Sequence, residues 1–78
     1  MNLDQAILGS LYRVCEVIAP HGAPHIKGQL EDIGFLPGEQ VTLLRKGLLG
    51  KGPYMVRVGA STFALRHSEA RLISVECS

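Results

Sequence analysis

Tryptophan is missing from the 78 residues, and tyrosine and phenylalanine occur only twice each. Grooves that grip proline-rich ligands are lined with aromatic rings, and Tyr12 and Tyr54 alone cannot build one. Single-stranded nucleic acid is held by bases stacked on exposed rings beside a basic surface, and few rings are on offer here. The net charge is only +1, so nothing global draws the chain to nucleic acid or to an anionic membrane. Two cysteines, Cys15 and Cys77, are too few for a disulfide framework. Cys15 lies in an apolar run and is expected to be a small buried hydrophobe; Cys77, next to the end, is expected to fray. No apolar run approaches the ~20 residues of a membrane span. Asp4 and Gln5 interrupt the start, and no basic region of the signal-peptide kind precedes the first apolar residues. The expectation is a cytoplasmic protein with no nucleic-acid partner and no membrane insertion.

What is present is a globular composition, with 46% hydrophobic and 19% charged residues, in a length that suits one domain over residues 1–78. A chain this short buries only about 60% of its unfolded surface. It cannot easily enclose a deep substrate pocket as well, which argues against a free-standing enzyme. Charge is unevenly spread. Residues 1–39 carry Arg13 and Lys27 against Asp4, Glu16, Glu31, Asp32 and Glu39, a balance of −3. Residues 40–78 carry Arg45, Lys46, Lys51, Arg57, Arg66 and Arg71 against Glu69 and Glu76, a balance of +4. Such a two-signed molecule suits oriented docking on a protein; the plainer reading is an uneven solvated surface.

The patterning is mostly of period two. "LYRVCEVI" (11–18) is β-branched and aromatic and reads as a strand. Val14 and Ile18 share a parity with Tyr12, and Cys15 and Val17 take the other, which predicts a strand covered on both faces. Within "HIKGQLEDIGF" the period changes. Ile26, Leu30 and Ile33 form one helical stripe, and Pro24 suits the first turn. Gly28 costs about 1 kcal/mol against Ala in that helix, which predicts a close backbone neighbour. Gly34 suits a left-handed C-cap, and Leu36-Pro37-Gly38-Glu39 a type II turn. "EQVTLLRKG", "YMVRV", "TFALR" and "LISVEC" are four more strands, and Ser68 could cap a helical turn in "HSEAR". "MNLDQAIL" is weakly helical. The fold class is therefore mainly β: a small five-stranded SH3-like barrel with one α-helix inserted after the first strand, closure hiding the sheet edges.

Candidate sites are few. No G-x-S-x-G is present, and "GLLGKGP" lies between strands with Lys51 followed by glycine, unlike a phosphate-binding loop running into a helix. Leu48 and Leu49 are adjacent large apolar residues in that loop, flanked by Lys46 and Lys51, and make a candidate docking knob. His21 and His25 are four apart, with Glu31, Asp32 or His67 as further ligands. They are a candidate site for Zn or Fe(II), within one chain or in a metal-mediated dimer. Two exposed loop histidines are the plainer reading.

The L-x-D-x-G-x-x-P-G at Leu30, Asp32, Gly34, Pro37 and Gly38 and the F-A-L-R-x-x-E-A at 63–70, in this order and spacing, resemble the FeoA family over about residues 8–76. The resemblance implies an SH3-like barrel and a non-enzymatic accessory role in bacterial ferrous iron uptake. The implied partner is the cytoplasmic side of FeoB, the GTPase-permease, with no cofactor required. The SH3-like module also resembles the C-terminal domain of iron-dependent repressors; the expectation here is a free-standing accessory protein without a DNA-binding domain.

Overall fold

The computed structural model describes residues 1–47 and 52–78. A 3-10 turn (Leu3–Gln5) leads into β1 (Leu11–Val17), followed by α1 (His25–Ile33), β2 (Gln40–Arg45), β3 (Tyr54–Val58), β4 (Ser61–Leu65), the single helical turn α2 (His67–Ala70) and β5 (Ile73–Cys77). All pairings are antiparallel, in the order β4-β3-β2-β1-β5. β4 and β5 are thus edges among the described residues, and the closure expected of a barrel is incomplete although the SH3-like course of the chain is present.

One face of the curved sheet is dry. Tyr12, Val14 and Val17 of β1, Val41 and Leu43 of β2, Tyr54, Val56 and Val58 of β3, Leu65 of β4 and Ile73 and Val75 of β5 are all buried. Leu3, Ala6, Leu30, Phe35 and Ala70 close this layer, with no buried polar or charged residue among the described ones. Each such aliphatic side chain contributes about 1.5–3 kcal/mol of transfer free energy.

The inward pattern of β1 is not the one its parity predicts. Val14 pairs with Val75, but Glu16 pairs with Ser74, so Cys15 is an extra residue in a β-bulge. A bulge shifts the alternation by one. Val17 therefore turns inward, while Ile18 and Cys15 are exposed. The expected burial of Cys15 and the two-faced burial of β1 are both overturned by that one residue. Cys77 is likewise no frayed end: it is paired with Tyr12, though exposed.

The helix ends as its sequence predicts. Gly34 has φ +130°, its N–H bonds to Glu31 O at 3.0 Å, and Phe35 N–H reaches Leu30 O at 3.1 Å. These are the two bonds of a Schellman motif, and Leu30 and Phe35 are the buried apolar pair that accompanies it. Glu39 N–H then bonds Leu36 O at 3.0 Å with Gly38 at φ +91°, the type II turn. The turn is sewn to β1, since Gly38 N–H donates to Val14 O (2.8 Å) and Val14 N–H to Glu39 O (2.9 Å).

Other local expectations are corrected. A Cβ at Gly28 would meet nothing within 4 Å, so no close backbone explains that glycine. Ile33 is 38% exposed and only Leu30 of its stripe is fully buried. Lys27, off the Ile26–Leu30–Ile33 stripe, donates from Nζ to Val17 O and ties α1 to the end of β1. The N-terminal segment makes only a 3-10 turn, with Gln5 Oε1 accepting from Asn2 N–H at 3.0 Å. Ser68 does not cap α2; Glu69 Oε1 does so, accepting from Arg66 N–H at 2.8 Å.

Gly34→Val forces a β-branched residue into positive φ, with its Cβ 3.8 Å from Val58 Cγ1. The strain costs about 2 kcal/mol, which in a domain of this size lowers Tm by roughly 10 °C. Thermal unfolding followed by circular dichroism checks this, and an unchanged Tm contradicts it.

Candidate functional site

The histidine set does not converge on one point. His21 sits in the turn before α1 and His25 opens the helix, both exposed. Glu31 lies six residues further along α1, about 240° around its axis, and its carboxylate is 3.4 Å from Lys27 Nζ. His67 is used elsewhere. Its Nε2 is 3.2 Å from Asp4 Oδ2, and its ring stacks on Tyr54 with centroids 5.3 Å apart. The other oxygen of Asp4 is buried without a hydrogen-bond partner, so His67 carries the polar contact that clips the N-terminal turn to α2. Among the described residues no group of three or more His, Cys, Asp or Glu is placed to hold a metal ion. Leu48, Leu49 and Lys51 lie outside the described residues; Lys46, at their edge, is exposed.

The described structure also exposes large apolar side chains that the sequence pattern did not single out. Ile7 is 67% exposed, Leu8 52%, Leu11 55% and Leu44 40%. Leu11 and Leu44 line an open cleft of about 430 Å³ on the solvent face of the sheet, with Gly9, Gln40, Thr42, Arg57 and Gly59. Two local devices create it. A second bulge, between the Leu43–Val56 and Arg45–Met55 pairs, makes Leu44 the extra residue of β2 and leaves its side chain in solvent. The 7–10 turn is held against β2 by Gly9 N–H to Leu43 O (2.9 Å), and its own end is closed by Ser10 N–H to Ile7 O (3.2 Å). Buried Tyr12 reaches up to accept a hydrogen bond from Ile7 N–H on its phenolic oxygen at 2.9 Å. Leu11, the first residue of β1, and Leu44, next to buried Leu43, are visible in the sequence, but each looks like part of a core run until the bulge and register are known.

A smaller cleft, about 220 Å³, lies between the loop before α1 and the turn α2, lined by Pro20, Ala23, Ile26, Arg66, Ser68, Glu69 and Leu72. Glu69 is engaged in its capping bond there.

These features define a class: a small SH3-like domain with a dry core on one side of its sheet and, on the other, an open cleft holding two exposed leucines and an arginine, a surface suited to recognition. The sequence profile of the FeoA domain matches residues 1–77, and the chain belongs to the FeoA family. It is similar to Stenotrophomonas maltophilia FeoA, solved with zinc and described as a procaryotic SH3 domain protein and candidate ferrous iron transport activating factor. Identity is 37%, with TM-score 0.86 over 97% of this chain and 89% of that one. It is similar also to FeoA from Chlorobium tepidum (28% identity, TM-score 0.84, 99% and 70% covered). Iron(II) transport protein A from Clostridium thermocellum shares 31% identity at TM-score 0.81, but this chain, 99% covered, spans only 45% of that one. Comparison with curated proteins gives no significant match.

The hold of Tyr12 on the cleft is testable. Tyr12→Phe removes the acceptor for Ile7 N–H and costs about 1 kcal/mol. Hydrogen exchange of the Ile7 amide accelerates in this variant while the β3 amides keep the protection of the folded sheet; equal protection at Ile7 contradicts the assignment.

Proposed function

We propose that this protein is a non-enzymatic accessory factor of bacterial ferrous iron uptake that works in the cytoplasm by binding the FeoB GTPase-permease and biasing its conformation. One observation carries the mechanism: Leu11 and Leu44 are exposed in an open cleft on the outer face of the sheet, beside Arg57, and exposed apolar side chains gathered within a polar rim mark interaction sites. Membership of the FeoA family and the description of the Stenotrophomonas protein as a candidate transport activating factor support the process. The Leu48–Leu49 pair, with Lys46 and Lys51, is proposed as a second contact.

Deleting the gene is expected to lower ferrous iron uptake, measured with labelled Fe(II), and the wild-type protein to restore it and to capture detergent-solubilised permease. Leu48→Asp with Leu49→Asp is expected to weaken both. Full uptake and capture by that double variant removes the loop from the interface; unchanged uptake in the deletion strain defeats the function itself.

A second reading is favoured by the zinc in the Stenotrophomonas structure. Zinc takes four nitrogen, sulfur or oxygen ligands in a tetrahedron. His21 and His25 supply at most two, and Glu31 is paired with Lys27. The donor set therefore fits an ion shared between two copies, each giving two imidazoles. Zn²⁺ is expected to shift the sedimenting species from monomer to dimer, with reversal by chelator and no shift for His21→Ala with His25→Ala. Isothermal calorimetry with Fe(II) and Zn(II) reads the same site, and an unaltered zinc response in the double variant rules it out.

A further inference from the structure

The cleft's own chemistry says what kind of segment fills it. This deepens the docking function just proposed and rests on it for the identity of the partner, though not for the existence of the site. The strand registers place one row of side chains across the solvent face. Leu11 is opposite Thr42, Thr42 opposite Arg57, and Arg57 opposite Thr62. Arg57 is exposed and lines the cleft. Its cross-strand neighbours on both sides are threonines, and the residues lining the cleft include no carboxylate. Arg13, by contrast, lies between Gln40 and Glu76 and has an opposite charge next to it in register. The cleft therefore presents Leu11 on β1, Leu44 on the middle strand β2, and on β3, two strands from Leu11, a cation with no carboxylate opposite it.

The backbone excludes one way of filling it. β1 lies between β5 and β2, β2 between β1 and β3, and β3 between β2 and β4. The three strands that floor the cleft have partners on both sides and offer no ladder to an added strand. A partner must bind through side chains alone, which is how an amphipathic helix enters a groove and how an extended peptide on a sheet edge does not. Neighbouring strands are about 4.8 Å apart, so Leu11 and Arg57 are separated by roughly 10 Å. That is the axial distance between helix residues about seven apart.

From these observations we infer that the outer face of β1–β3 is a docking site for an acidic amphipathic helix of the partner. An aliphatic residue of that helix lies between Leu11 and Leu44, and a carboxylate about two turns along pairs with Arg57. A guanidinium takes a carboxylate in two parallel hydrogen bonds, so the pair sets direction and register while the leucines supply the apolar contact.

The test uses the full chain and a fluorescein-labelled, hydrocarbon-stapled alanine-based helix of about five turns, with Leu and Glu about seven residues apart. Anisotropy is expected to show saturable binding. Leu11→Asp and Arg57→Glu each weaken it about tenfold or more, the equivalent of 1.4 kcal/mol. Both variants are expected to keep the wild-type circular dichroism spectrum, because the two side chains are exposed; Leu44→Asp serves if either does not. A helix with Lys in place of Glu is expected to prefer Arg57→Glu over the wild type. Absence of binding, equal binding by the variants, or equal binding of an unstapled strand-forming peptide of the same composition overturns the inference. Capture of the solubilised permease separates the two readings. If permease binds wild type, Leu11→Asp and Arg57→Glu alike, this site is wrong and the uptake function stands. If the stapled helix binds as expected while permease is captured by none of them, the site stands and the permease reading fails.

Discussion

A single apolar layer under one five-stranded sheet holds this protein together, and among the described residues no polar or charged residue is fully buried in it. The sheet is too small to bury both faces. Its two faces must therefore differ, and every irregularity in the strands is a place where the inward and outward assignment is reset. The bulge at Cys15 returns Val17 to the core after Val14. The bulge at Leu44 sends an apolar side chain out after Leu43 and ahead of Arg45. Each adds one residue, and each changes which chemistry meets solvent.

The same layer explains the dense backbone chemistry between α1 and β2. The helix has to deliver Leu30 and Phe35 into the layer and then release the chain in register for Val41 and Leu43. The Schellman bonds at Gly34, the type II turn at Pro37-Gly38, and the two hydrogen bonds between that turn and Val14 achieve this within a few residues. These family-diagnostic positions are architectural. The surface argued to be functional lies on the other face of the sheet, built by Leu11, Leu44 and Arg57, none of which belongs to either motif.

How much was legible follows from which forces are local. The strand at 54–58, the helix with its Pro24 start and Gly34 stop, and the turn at 37–38 were readable because period, φ preference and capping act over a few residues. Cys15, Ile18 and Ile33 were misplaced because burial depends on pairing register and on what covers a helix, neither of which is local. Ser68 and Glu69 competed for the same cap, and the carboxylate prevailed by reaching back to the Arg66 amide. His67 looked available as a ligand and is instead tied to Asp4, 63 positions away in the chain. The histidines at 21 and 25 are where the sequence put them, in a turn and at a helix start, and their nearest carboxylate candidate, Glu31, is paired with Lys27.

By itself the sequence determined that this chain is mainly β and of the FeoA family, because alternation, glycine placement and two spaced motifs are properties of the chain alone. Tertiary structure decided which leucines remain outside the core and which arginine lies beside them without a carboxylate. Those depend on a bulge in β2 and on the cross-strand row from Leu11 to Thr62, and a register exists only once strands far apart in sequence have paired.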